Sequence, residues 1–299
     1  MSEKKTPFQG IGTALITPFK DGKIDYTTLE WLIESQIRAG IDALIIGGTT
    51  GEAATLEESE RRELYSYAAR TVRNRTKLIL GTGSNDTKLS LKLTRIAEDI
   101  GCDGILVVTP YYNKGTEEGV YLHYSAIADS TSLPLIIYNV PTRTGVNLGY
   151  TLLRRLAQKP NIVGIKEASD SVDRLVSLAE IRDTLPIYAG NDSQIYPTLA
   201  LGGVGAISVV SNILPALTRQ IYTAYSAQNI KAALDTQLAL LPFIKALFIE
   251  TNPAPLKFIM SHLGITDGEL RLPLAEVRES TRDTLIAEYN KLLSRPNQQ

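Results

Sequence analysis

Lys166 lies in NIVGIKE at 161–167, directly after the apolar residues 162–165. Lysine is seldom buried without a partner or a purpose. One reading is a strand-end lysine that extends its ammonium to solvent along an aliphatic stem. The other is a Schiff-base amine. Burial keeps more of such an amine neutral and able to attack a ketone, and the imine then serves as an electron sink for carbon–carbon chemistry. Tyr138 closes the preceding apolar run, PLIIYNV at 134–140. Neighbouring parallel strands stand about 4.8 Å apart, which would bring its phenol near the amine to move protons at the carbinolamine stage. The bland alternative is a core tyrosine with a satisfied hydroxyl.

Two further segments have the chemistry to hold a carboxylate. In GGTTGE at 47–52, two glycines precede Thr49 and Thr50 at the entrance to a helix, so amides and hydroxyls can face an anion. Taken alone it is also an ordinary strand-to-helix connection. Arg143 lies in PTRTG, a loop bounded by Pro141 and Gly145, where its guanidinium fork suits bidentate binding, against the reading of a plain surface arginine. Cys102, in IGCDG, reads as structural.

These residues need a scaffold that brings strand ends together. Eight short apolar runs recur between turn signals, at 12–17, 42–47, 77–81, 103–109, 134–140, 161–167, 186–190 and 204–210. Segments of helical period separate them. In TTLEWLIESQIRAG at 27–40, Leu29, Leu32, Ile33, Gln36 and Ile37 follow the helical spacing and Gly40 occupies a C-terminal cap position. LEESERRELYSYAARTV at 56–72 begins acidic and ends basic, as the helix dipole favours. Strands apolar at nearly every position and alternating with helices are buried on both faces, which predicts a closed (β/α)8 TIM barrel with its site at the C-terminal ends of the strands. A doubly wound open sheet competes, but the G-x-G-x-x-G turn that would favour it is absent after the first strand. From about residue 229 the pattern turns helical. The expected division is therefore a barrel over 1–228 and a helical region over 229–299 packed on it. LALLPFIKALFIE at 238–250 falls short of the ~20 residues that span a bilayer and reads as a buried helix.

Composition narrows the chemistry. One cysteine excludes an intrachain disulfide and a Cys-rich metal site, and two histidines are too few for a His-rich centre. With 31 Lys and Arg against 32 Asp and Glu there is no footprint for nucleic acid or an anionic membrane. The polar opening MSEKKTPFQG runs into no signal-peptide core, which points to the cytoplasm.

GTTGE, TPYYN, YNVPTRTG and GIKEAS, in this order and spacing, resemble the dihydrodipicolinate synthase family. So do GTALITPF, the GTGSNDT turn, NPAPLK and LRLPL, so the likeness covers most of the chain. The resemblance implies a pyruvate-dependent class I aldolase on a (β/α)8 barrel, with no metal or organic cofactor. It condenses pyruvate with L-aspartate 4-semialdehyde in lysine and diaminopimelate biosynthesis. Carried over by motif position, Lys166 forms the imine. Tyr138, Thr49 and Tyr112 relay protons, with Tyr112 reaching into a neighbouring subunit of a homotetramer built as a dimer of dimers. Thr50 holds the pyruvate carboxylate, Arg143 engages the aldehyde substrate, and Gly190 and Ile207 line the pocket by their backbone.

N-acetylneuraminate lyase and related sugar-acid aldolases share the lysine and tyrosine but generally lack the arginine, so Arg143 favours the synthase. A catalytically silent keto-acid-binding barrel is the alternative of another class, and the presence of both Lys166 and Tyr138 speaks against it. Members inhibited by lysine hold it with a histidine and a glutamate at places occupied here by Glu58 and Leu89, although Asn85 and Tyr111 match. With Leu89 the ligand's ammonium has no charge partner, so feedback inhibition is expected to be weak or absent.

Overall fold

The computed structural model describes residues 4–294, so the first three residues of the polar opening and the last five of the expected helical region lie outside the described residues. The strands are β1 (Gly10–Ala14), β2 (Phe19–Lys20), β3 (Lys23–Ile24), β4 (Ala43–Ile46), β5 (Lys77–Gly81), β6 (Gly104–Val108), β7 (Leu135–Asn139), β8 (Ile162–Glu167), β9 (Ile187–Ala189) and β10 (Gly205–Ser208). The helices are α1 (Tyr26–Arg38), α2 (Glu58–Val72), α3 (Thr87–Ile100), α4 (Glu117–Asp129), α5 (Pro141–Thr144), α6 (Tyr150–Leu156), α7 (Val172–Ala179), α8 (Ile195–Ala200), α9 (Pro215–Ser226), α10 (Ile230–Ala246), α11 (Ala254–His262) and α12 (Glu279–Leu293).

Eight strands, β1 and β4 to β10, pair in parallel and close into a barrel, with β1 bonded to both β4 and β10. Their side chains alternate between two cores. Leu44, Ile46, Ile105, Val107, Leu135 and Ile137 face the helices. Ala43, Ile45, Leu106, Ile136 and Tyr138 fill the barrel interior with Phe8, Tyr188 and Ile207. This period of two decides where β8 sends its polar residues: Ile165 faces the helices, so Lys166 points into the barrel and Glu167 points out.

Local signals end the helices where the sequence marks them. Asp25 accepts from Thr28 N at 3.0 Å to start α1, and Gly40, just past its end, has φ +75°. Glu57 and Glu60 form a reciprocal capping box on α2.

The first strand lies two residues earlier than its apolar run suggested. A Cβ on Gly10 would stand 2.2 Å from Asp42 Oδ2, which accepts from Ile11 N at 2.9 Å, so the glycine admits a close approach at the strand's start. Leu15 and Ile16 are buried beyond the ladder, and Ile16 N donates to Asn212 Oδ1 at 3.2 Å. The hairpin of β2 and β3 carries no periodic signal and went unpredicted. The expected buried helix at 238–250 is a correction as well: α10 ends at Ala246, and Leu238, Phe248 and Ile249 are exposed while Leu240, Phe243 and Ile244 are buried. Only one stripe of the helix meets the core.

α10 packs on α9 and α12, and the segment after it is bolted to the barrel mouth by a buried ion pair. Lys257 pairs with Glu52 of the GGTTGE turn and donates to Glu269 O at 2.8 Å. Glu52 also accepts from Arg271 N at 3.0 Å. The ring of Phe19, in the unpredicted hairpin, lies 4.2 Å from Lys257 Nζ and 4.3 Å from Arg271 Cζ. Burial pushes the Lys257 ammonium down from its ordinary pKa while Glu52 pulls it back up. Removing one partner strands the other. Lys257→Met is expected to lower unfolding free energy by about 3–5 kcal/mol in denaturant titrations, and Glu52→Gln combined with Lys257→Met by clearly less; equal losses would remove the pair as the fastening.

Candidate active site

A cavity of about 340 Å³ opens at the C-terminal ends of the strands, lined among others by Gly47, Thr49, Tyr111, Tyr138, Arg143 and Asn252. Each comes from a different part of the chain. Gly47 leaves β4 at φ +70°, and a Cβ there would stand 2.3 Å from Tyr65 Oη, so only glycine lets the chain turn against α2. The following turn closes on itself, with Gly51 N donating to Gly48 O at 3.1 Å and Glu52 N to Thr49 O at 3.0 Å. The amides of Thr49 and Thr50 donate to no protein acceptor among the described residues, which leaves them for an anion.

Tyr138 and Lys166 are direct partners in the β7–β8 register. Lys166 is 5% exposed, and its Nζ stands 4.2 Å from the centroid of the Tyr138 ring. The amine therefore meets the aromatic face, whereas the sequence suggested the phenol hydroxyl. The amine takes part in no hydrogen bond or ion pair among the described residues, and the buried carboxylate of Asp192 feels its charge. Glu167, the neighbour of Lys166, is wholly buried on the other face, where Asn139 Nδ2 donates to both oxygens at 2.9 and 3.0 Å, Ser169 N donates at 2.9 Å and Arg174 Nε pairs at 3.3 Å. These bonds fix the end of β8 and hence the root of the Lys166 side chain.

Thr50 is buried, and its Oγ1 accepts from Asn252 Nδ2 at 3.0 Å. Arg143 Nη2 donates to Asn252 O at 2.9 Å. One residue between α10 and α11 thus touches both expected carboxylate-binding groups. Gly190 follows β9 with its amide donating to Glu167 O at 2.7 Å, and a Cβ there would collide with Ala168 Cβ at 2.6 Å. Ile207 is buried in the barrel interior on β10. Of the expected site residues, Thr49, Tyr138 and Arg143 line the cavity, while Lys166, Thr50, Gly190 and Ile207 are buried or half-buried around it and Tyr112 stands apart, 90% exposed at φ +67°. Among the described residues no group of three or more His, Cys, Asp or Glu is placed to hold a metal.

The model of the Dihydrodipicolinate synthetase family matches residues 7–292. The chain belongs to this family. A relative from Clostridium novyi, a 4-hydroxy-tetrahydrodipicolinate synthase, is 45% identical over 290 residues, covering 96% of this chain and 98% of its own. Another synthase of that name, from Kosmotoga olearia, is 47% identical over 282 residues, covering 93% and 96%. Among solved structures, the 4-hydroxy-tetrahydrodipicolinate synthase of Methylacidiphilum fumariolicum SolV superposes with a TM-score of 0.93 at 42% identity, covering 95% of this chain and 96% of that one.

Within the dihydrodipicolinate synthetase barrel, two polar residues near the site escaped the sequence reading. Asp192, just past Gly190, is 3% exposed, and its Oδ2 accepts from the amides of Val209 and Val210 at 3.0 and 2.9 Å. Burial raises its pKa, while Ser208, these amides and the charge of Lys166 pull it down. Its Oδ1 has no hydrogen-bond partner among the described residues. The second is Asn252, whose place in NPAPLK gave no signal beyond a turn, because its partners lie more than 100 residues away. If Thr50 holds the keto-acid carboxylate as the resemblance implies, Asn252→Ala raises KM for that substrate about five- to tenfold with a smaller change in kcat, the worth of one hydrogen bond. A fall in kcat alone would assign Asn252 elsewhere.

Proposed function

We propose that Lys166 carries, as an imine with pyruvate, the condensation with L-aspartate 4-semialdehyde that gives 4-hydroxy-tetrahydrodipicolinate. The observation that supports it is a buried lysine amine over the Tyr138 ring, without an ion pair among the described residues, inside a barrel whose mouth holds Thr49 and Arg143 with Thr50 beside them. Lys166 Nζ attacks C2 of pyruvate, and the carbinolamine loses water. A proton leaves C3, and the enamine carbon attacks the aldehyde. The amine of the acceptor then adds to C2 and expels Lys166, so one pyruvate and one semialdehyde yield one product and one water.

Thr50 Oγ and the free amides of Thr49 and Thr50 hold the pyruvate carboxylate, and Arg143 at the mouth binds the carboxylate of the semialdehyde as a fork. Tyr138 and Thr49 pass protons at the carbinolamine and aldol stages, completed by Tyr112 of a second copy. Gly190 and Ile207 shape the pocket wall by their backbone. The exposure of Tyr112 supports this shared role, since its side chain has no use within its own chain. The assembly we infer is a homotetramer, a dimer of dimers. A cytoplasmic setting is in keeping with the single free thiol of Cys102, and no helix among the described residues is long and apolar enough to cross a membrane.

Condensation coupled to the next reductase, run beside N-acetylneuraminate cleavage, tests the reading: efficient condensation with negligible cleavage is expected. Lys166→Ala abolishes both turnover and borohydride trapping of pyruvate. Cleavage without condensation would make this a sugar-acid lyase. The active species sediments as a tetramer, and a fully active monomer would remove the role given to Tyr112.

The lysine response follows from two side chains. Glu58 is engaged with Lys92 at 2.7 Å, and Leu89 packs its apolar side chain against the core. Neither position offers a free carboxylate for an ammonium. L-lysine is therefore expected to inhibit weakly or not at all, and complete inhibition at sub-millimolar lysine in the coupled assay overturns this.

A further inference from the structure

Asn139 and Leu148 bracket the short loop that carries Arg143, and both are tied to one buried carboxylate. Asn139 is wholly buried at the end of β7. Its Nδ2 donates to both oxygens of Glu167 and to Asn147 Oδ1 at 2.9 Å, and its Oδ1 accepts from Leu148 N at 3.2 Å. Arg174 makes the second tie from α7: its Nε pairs with Glu167 Oε2 at 3.3 Å, and its Nη2 donates to Leu148 O at 2.6 Å. The base of that guanidinium is fixed. Ser171 Oγ caps α7 by accepting from Arg174 N at 3.2 Å, and Leu175 and Leu178 hold the helix in the core.

Between these anchors the loop is stiff. The amides of Arg143 and Thr144 both donate to Val140 O at 3.0 Å, Gly145 N donates to Pro141 O at 2.9 Å, and Val146 N donates to Thr144 Oγ1 at 3.1 Å. A shift at either end therefore moves Arg143, whose side chain is held otherwise only by Asn252 O at 2.9 Å among the described residues. Glu167 directly follows Lys166, so one carboxylate steadies both the strand that presents the amine and the loop that presents the guanidinium.

We propose that Arg174 is a positioning residue for the second substrate, holding the loop through Leu148 O so that Arg143 is set against the Lys166 site to grip the carboxylate of the semialdehyde. This rests on the condensation proposed above. An ion pair that served stability alone would need only the Glu167 side of the fork; the bond to Leu148 O is the part that joins the loop.

Arg174→Lys separates the two bonds, because a single ammonium matches the charge of Glu167 but lacks the fork that spans to Leu148 O. In the coupled condensation assay it is expected to raise KM for the semialdehyde by about fivefold or more, with KM for pyruvate and the pyruvate trapped by borohydride within about twofold of wild type. Adding Arg174→Lys to Arg143→Ala is expected to lower kcat/KM for the semialdehyde no further, since Arg174 acts through the guanidinium already lost. Should Arg174→Lys fail to fold, Arg174→Gln with Glu167→Gln leaves no unmatched charge, and the same split between the two substrates is expected of it. Three results overturn the proposal: an unchanged KM for the semialdehyde, equal rises in both KM values, or additive losses in the double variant with Arg143→Ala. A wild type that condenses nothing overturns the condensation and this proposal with it, whereas a condensing wild type with any of the three results overturns this proposal alone.

Discussion

Closure of the barrel is the constraint on which the site depends. Once eight parallel strands curl shut, every second side chain must enter a dry interior or face the helices, with no edge where an awkward residue can escape. Lys166 falls on the inward phase of β8, against Tyr138 in the neighbouring strand. Its neighbour Glu167 falls on the outward phase, and Asn139, Ser169 and Arg174 satisfy it there. One step along the strand separates a carboxylate that is fully bonded from an amine that has no hydrogen bond or ion pair among the described residues. An unsatisfied buried amine destabilises the fold, and such a group is tolerated where a substrate completes it.

The segment after the barrel is part of the same device. Lys257 reaches back to Glu52, Arg271 to Glu52 and Glu60, and Asn252 to Thr50 and Arg143. The turn that presents Thr49 and Thr50 is thus clamped on one side by the strand it leaves and on the other by residues some 200 positions later. Loops alone hold such groups loosely, and hydrogen bonds and ion pairs to a second element give the precision that catalysis requires.

Two of the buried acidic groups near the cavity are matched within the protein, Glu52 by Lys257 and Glu167 by Arg174 and Asn139, whereas Asp192 has amide donors and feels the charge of Lys166. Lys166 and Arg143 form no ion pair with a carboxylate among the described residues, although Arg143 donates to Asn252 O. Cations so placed favour carboxylate groups at the mouth of the barrel.

The eight-strand alternation, the helix caps at Asp25 and Glu57, the lysine within an apolar strand and the motifs that identify the family were all legible in the sequence. They rest on local physics: side-chain period, cap chemistry and residues fixed within a few positions of one another. The start of β1 at Gly10, the β2–β3 hairpin and the end of α10 at Ala246 were not, because close backbone approach and one-sided burial depend on what packs opposite. The same holds at the site. That Lys166 meets the face of Tyr138 and not its hydroxyl, and that Asn252 joins Thr50 to Arg143, are facts of distance between remote segments. Sequence alone determined which chemical groups the strands carry to the mouth of the barrel; only the tertiary structure decided which of them are satisfied within the protein and which are left for a ligand, because that balance is set by contacts across the fold.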